Sequence, residues 1–126
     1  MTTLTRWIPR LLVITGALHL AYSVVFLHGA FVDIARDGLF NTLEGHDDRL
    51  AAVWFVVLSP AMFALGGLAN WTVAQTGRLP AQLGVWLLVI AVPMLVLIPV
   101  SGFWLVAIIG ALTLYAAKNP TPSRTT

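Results

Sequence analysis

Two groups of residues in this sequence have the types and spacing for chemistry. The first centres on His19, which stands within an uncharged run from Leu11 to Val32. At about 100° per residue, Thr15, Gly16, Tyr22, Ser23, Phe26 and Asp33 fall on the same side of a helix as His19, whereas Val13, Ile14, Val24 and Val25 fall opposite. A second run places Ala52, Phe55, Ser59, Phe63, Gly66 and Asn70 on one face in the same way. An imidazole at that depth of an apolar segment must face protein or water, and such residues bind a ligand or relay a proton. Pro60 and Pro93 add to the site, because each leaves the carbonyl four residues earlier, Val56 or Val89, without its helical donor. His19, Tyr22, Ser23 and Ser59 are the donors at hand. The structural alternative is that His19 satisfies one of these carbonyls and holds two helices together.

The second group is the segment from Asp33 to Arg49, which contains every acid of the chain: Asp33, Asp37, Glu44, Asp47 and Asp48. Glu44 with His46 is a carboxylate and imidazole pair suited to acid/base catalysis, and His28 and Asp33 can approach from the preceding helix. The same residues could hold a hard cation, but the spacing matches neither an EF-hand nor a zinc motif, so no metal ligand is assigned. The alternative is a solvated loop of helix caps and local Asp–Arg pairs, with His28 at a membrane interface. Leu39-Phe40 within it would dip back toward the bilayer or lid the bundle.

The elements that hold these residues follow from composition. The chain has 126 residues, of which 59% are hydrophobic and 10% charged; its mean hydropathy is +0.89. Soluble domains carry about 25% charged residues. This excludes a soluble enzyme, a disordered chain and a nucleic-acid binder. The pI of about 9.7 rests on seven Lys/Arg against five Asp/Glu, which is too slight a surplus to follow a phosphate backbone. No cysteine is present, so thiolate, disulfide and iron–sulfur chemistry are excluded, and no cofactor is expected.

A helix needs about 20 apolar residues to cross a bilayer. Three uncharged runs qualify, Leu11–Val32, Leu50–Gly77 and Leu79–Ala117, and Pro99, Ser101 and Gly102 divide the last. The expectation is an all-α integral membrane four-helix bundle over residues 1–118. Its spans are about 8–34, 50–72, 81–98 and 102–118, with an outer loop at 35–49 and a disordered polar tail at 119–126. The first run exceeds a signal-peptide core and lacks an Ala-x-Ala site, which favours a retained helix. Gly38 and Gly77 suit helix ends, Asp47 or Asp48 an N-cap, Pro80 a first turn, and Ser101 a cap of the last helix. Trp7, Trp71 and Trp104 stand near span ends. Ala17 and Ala21, Gly66 and Gly67, and Ala107 and Ala111 offer small-residue contacts between helices. Arg6, Arg10, Arg78, Lys118 and Arg124 lie on one side against Arg36 and Arg49 on the other, placing both termini in the cytoplasm and the protein, multi-pass, in the cell membrane.

The strings Gly16-Ala-Leu-His19, Asp37-Gly-Leu-Phe-Asn-Thr42, Trp54-Phe55, Leu79-Pro80 and Pro99-Val-Ser-Gly-Phe-Trp-Leu105 resemble those of a family of small four-span bacterial membrane proteins, mainly actinobacterial, known only as a domain of unknown function. The resemblance spans about residues 8–117, and Pro-x-Ser-Gly-Phe-Trp is its most specific part. It implies the four-helix architecture and no activity, so no catalytic residue carries over.

Three functions follow from the residues. The first is binding of a membrane lipid or lipophilic molecule, with His19, Tyr22, Ser23 and Ser59 fixing a polar head in a pocket walled by Trp54, Phe55, Phe63, Trp86 and Phe103. The second is a membrane isomerase, cyclase or hydrolase on a terpenoid, sterol or epoxide, with His19, Asp33, Glu44 and His46 as candidate catalytic groups. The third, proton-coupled transport, suffers from the lack of any acid within a span core. A second copy of the chain would enlarge the pocket, so a homo-oligomer is also compatible.

Overall fold

The structure is a computed structural model, and it describes residues 2–120. Among these residues the fold is all-α, with five helices: α1 (Thr3–Phe26), α2 (His28–Arg36), α3 (Asp47–Thr76), α4 (Ala81–Leu97) and α5 (Phe103–Lys118). The expected tail beyond residue 120 lies outside the described residues. α1 and α3 are long and apolar enough to cross a membrane, while α4 and α5 are apolar helices of 17 and 16 residues.

The boundaries depart from expectation where local hydrogen bonds compete with the apolar pattern. α1 starts at Thr3 rather than near residue 8, because the Thr2 hydroxyl accepts the Thr5 amide at 3.3 Å and caps the helix. The first expected span also breaks at Leu27. There the His28 ring donates from Nδ1 to the Val25 carbonyl at 3.2 Å, a carbonyl that a continuous helix would offer to Gly29. α3 begins after His46, with Asp47 and Asp48 in its first turn beside the positive end of the helix dipole. Gly77 ends it in the left-handed conformation, φ 69°, as its position suggested. Pro80 stands at the N-cap of α4, one residue before the first turn. Ser101 does not cap α5; Gly102 holds that position, and the Trp104 indole closes the turn by donating to the Pro99 carbonyl at 2.9 Å.

α1 is the central helix, packed on α3 and α5, and α4 packs on α5. α3 and α4 are joined by a short turn, yet they do not pack on each other. The close contacts run through glycine. A Cβ on Gly16 would come within 2.9 Å of the Ser59 carbonyl oxygen, one on Gly66 within 2.9 Å of Pro9 O, and one on Gly84 within 2.7 Å of Gly110 O. Of the small residues singled out from sequence, Gly66 is in contact, Ala107 is half-buried, and Ala17, Ala21, Gly67 and Ala111 are exposed. The contact stripe follows the buried Ile8, Leu12, Thr15, Gly16 and Ser23 instead.

The buried apolar core draws on Ile8, Leu12, Val73, Leu79, Leu87 and Ile109. Many large apolar side chains remain exposed on the outer faces, among them Val24 at 64%, Val96 at 76% and Trp71 at 62%.

Candidate functional site

α1 and α3 bring together most of the residues proposed for the intramembrane site. Thr15, Gly16 and Ser23 of α1 and Ser59 of α3 are buried, while His19 and Phe55 are half-buried. The hydroxyls of Thr15 and Ser23 donate to Leu11 O and His19 O, both at 2.8 Å. A Ser or Thr in a helix reaches the carbonyl one turn back, so these groups are satisfied inside α1. Ser59 differs: its Oγ is buried and has no partner among the described residues.

The His19 ring lies 3.0 Å from the Thr15 carbonyl oxygen through Nδ1. A carbonyl only accepts, so Nδ1 carries the proton and the lone pair of the neutral ring sits on Nε2. No described residue donates to that nitrogen. The ring stacks on Phe55 with centroids 4.8 Å apart and planes at 27°. Tyr22 extends the cluster, 5.2 Å from Phe55 and 4.7 Å from Phe26. Tyr22 is 48% exposed and Phe26 68%. The arrangement is an open aromatic shelf on the α1–α3 surface with an unpaired acceptor at its inner edge.

Neither carbonyl freed by proline receives the expected donor: His19 and Ser23 bond within α1, so the bridge from His19 to Val56 or Val89 is absent. Phe63 lies against Gly16, beside the shelf. Trp86 and Phe103 are not brought to it. Trp86 lines a groove between α3 and α4, and Phe103 packs against the apolar core at the start of α5. The cause is the placement of α4, which leans on α5 and stays apart from α1 and α3. A hollow of about 400 Å³ lies at the α1–α2 bend, lined by Ser23, Val24, His28, Phe31, Val32, Ala35 and Val56.

The outer-loop candidates do not converge. Asp33 faces Arg36 at 4.0 Å across exposed side chains, Glu44 accepts from Asn41 at 2.7 Å, and His46 stands exposed at the start of α3. No three His, Asp or Glu among the described residues gather to hold a metal ion. Leu39 and Phe40 are 69% and 92% exposed and do not lid the bundle. The residue that organises the loop is Arg49, only 9% exposed. Its Nη1 donates to Asp37 Oδ2 at 2.7 Å and to the Thr42 carbonyl at 3.1 Å. Sequence did carry a signal for it: a cation in the first turn of a helix opposes the dipole and therefore needs a partner of its own.

The chain matches the family of unknown function DUF6463 over residues 3–120 and belongs to that family. No curated protein matches the chain, and no solved structure does.

Proposed function

We propose that this chain is a four-span membrane protein, both termini cytoplasmic, that binds a lipophilic small molecule or lipid at the His19 shelf. Support for the membrane placement comes from the two long apolar helices and from the exposed apolar side chains on the others. α4 and α5, at about 1.5 Å per residue, reach roughly 26 and 24 Å, short of a 30 Å core by less than the neighbouring turns supply. In lipid the outward Val24, Val96 and Trp71 lie in their natural medium; in water they would form apolar patches that favour association.

The observation that carries the binding reading is the contact of His19 Nδ1 with the Thr15 carbonyl oxygen at 3.0 Å. With Nδ1 committed to Thr15 O, Nε2 is an unpaired acceptor at the edge of an aromatic shelf. A ligand with a hydroxyl or amide donor on an otherwise apolar body satisfies it, with Phe55, Phe26 and Tyr22 taking the apolar part. The Tyr22 hydroxyl supplies a complementary donor. Asp33, Asp37 and Glu44 are engaged in local pairs and the outer-loop candidates do not converge, so the reading calls for binding.

Native mass spectrometry of the detergent-purified protein, with extraction of any bound molecule, tests it. Wild type should retain a discrete adduct that His19→Leu loses, with helix content and elution volume unchanged. An adduct kept in His19→Leu, or a bare protein in both, overturns the reading.

A further inference from the structure

The charges sort by end. α1 runs antiparallel to α3, since Gly66 meets Pro9 while Gly16 meets Ser59, and α4 runs antiparallel to α5, since Gly84 meets Leu114 while Gly110 meets Leu88. Arg6, Arg10, Arg78 and Lys118 therefore share the end where α3 turns into α4. The five acids all lie in α2, the following loop or the first turn of α3, at the other end.

From that basic end α3 and α4 run without packing on each other. Between them is an apolar groove of about 370 Å³, walled by Leu65, Leu68 and Ala69 of α3 and by Leu83, Trp86 and Ile90 of α4. Pro80 and Gln82 line its near end, beside exposed Arg78. From Pro80 to Ile90 the helix rises about 15 Å, the depth of one leaflet of the hydrocarbon core. The hydroxyl of Thr72, also in the wall, is turned to Leu68 O at 2.8 Å. The groove thus has an apolar length, and Arg78 precedes Pro80 at its near end by two residues.

We propose that this groove holds an acyl chain of an anionic phospholipid whose phosphate sits at Arg78, with Gln82 as a second donor. The proposal rests on the membrane placement above and is independent of the His19 shelf. Basic residues at the cytoplasmic face between helices attract anionic headgroups. A second copy is disfavoured as occupant, because parallel copies in one membrane would set their cationic ends side by side.

The test uses the full chain reconstituted in vesicles of equal phosphatidylglycerol and phosphatidylcholine, extracted gently and weighed with its retained lipid. Phosphatidylglycerol should be retained over phosphatidylcholine by about fivefold or more, the effect of one cation near the surface. Arg78→Gln should remove that preference, and Leu68→Trp, at an exposed groove position, should lower retention of both lipids. Arg6→Gln removes the same charge outside the groove and should keep the preference, as should His19→Leu whatever it does at the shelf. Equal retention of the two lipids, equal losses in Arg6→Gln and Arg78→Gln, or a lipid-free dimer stable in detergent would overturn the proposal. A chain that stays soluble without detergent overturns it together with the membrane placement.

Discussion

Two side chains set the local chemistry in opposite ways. His19 gives one ring nitrogen to its own helix and leaves the other open, whereas Arg49 turns Nη1 of its guanidinium to both Asp37 and Thr42. The consequence for Arg49 is structural. Arg49→Met removes the only described donor to the Thr42 carbonyl and strips Asp37 of its cation, so unfolding should become easier by about 1–3 kcal/mol. Thermal unfolding in detergent checks this, and Arg36→Met, whose 4.0 Å pair with Asp33 is exposed, should change almost nothing. Equal losses in the two variants would remove Arg49 from its place as the clamp of the loop.

At the scale of elements, two helix pairs are joined by glycine contacts. α4 meets α5 where Gly84 and Gly110 let the backbones touch, and Gly84→Ala would press a methyl to 2.7 Å from a carbonyl oxygen. With backbone on the other side, relief requires the helices to part, at about 1–3 kcal/mol. Gly67 has nothing within 4 Å, and Gly67→Ala should stabilise α3 by up to about 1 kcal/mol through helix propensity alone. Paired unfolding curves for the two variants distinguish packing from propensity; a stable Gly84→Ala would mean that α4 is held to α5 by its larger side chains. Pro60 shows a different lesson: α3 continues through it, although proline removes the donor to the Val56 carbonyl.

For the whole molecule, the bipolar distribution of charge is the main organising feature. Under the proposed four-span placement, Arg6, Arg10, Arg78 and Lys118 at one end against Arg36 and Arg49 at the other put the first end in the cytoplasm by the positive-inside rule. With cysteines introduced at Gln75 and Asn41, both exposed, the one at Asn41 should therefore react with a membrane-impermeant thiol reagent in intact cells and the one at Gln75 only after permeabilisation. Reaction from the same face would overturn the four-span arrangement.

Sequence alone determined the helical class and the sites of most helix ends. Uncharged runs, Gly77 and the Pro99–Gly102 turn act within a few residues, and nothing distant competes with them. Of the expected inward stripe, Thr15, Gly16 and Ser23 are buried and His19 is half-buried, because helical periodicity orders side chains on one helix before any neighbour is present; Tyr22 and Phe26 are exposed and Asp33 falls on α2, beyond the break at Leu27. What only the tertiary structure decided was which helix each stripe meets. Trp86 and Phe103 share the apolar character of Phe55, yet α4 packs on α5, where Gly84 and Gly110 bring the two backbones into contact, and not on α3, although Gly67 leaves open space there. The break at Leu27 and the burial of Arg49 depend likewise on particular hydrogen bonds, and a pattern of apolar residues does not encode them. Periodicity is a property of one helix; partnership depends on the shapes of two.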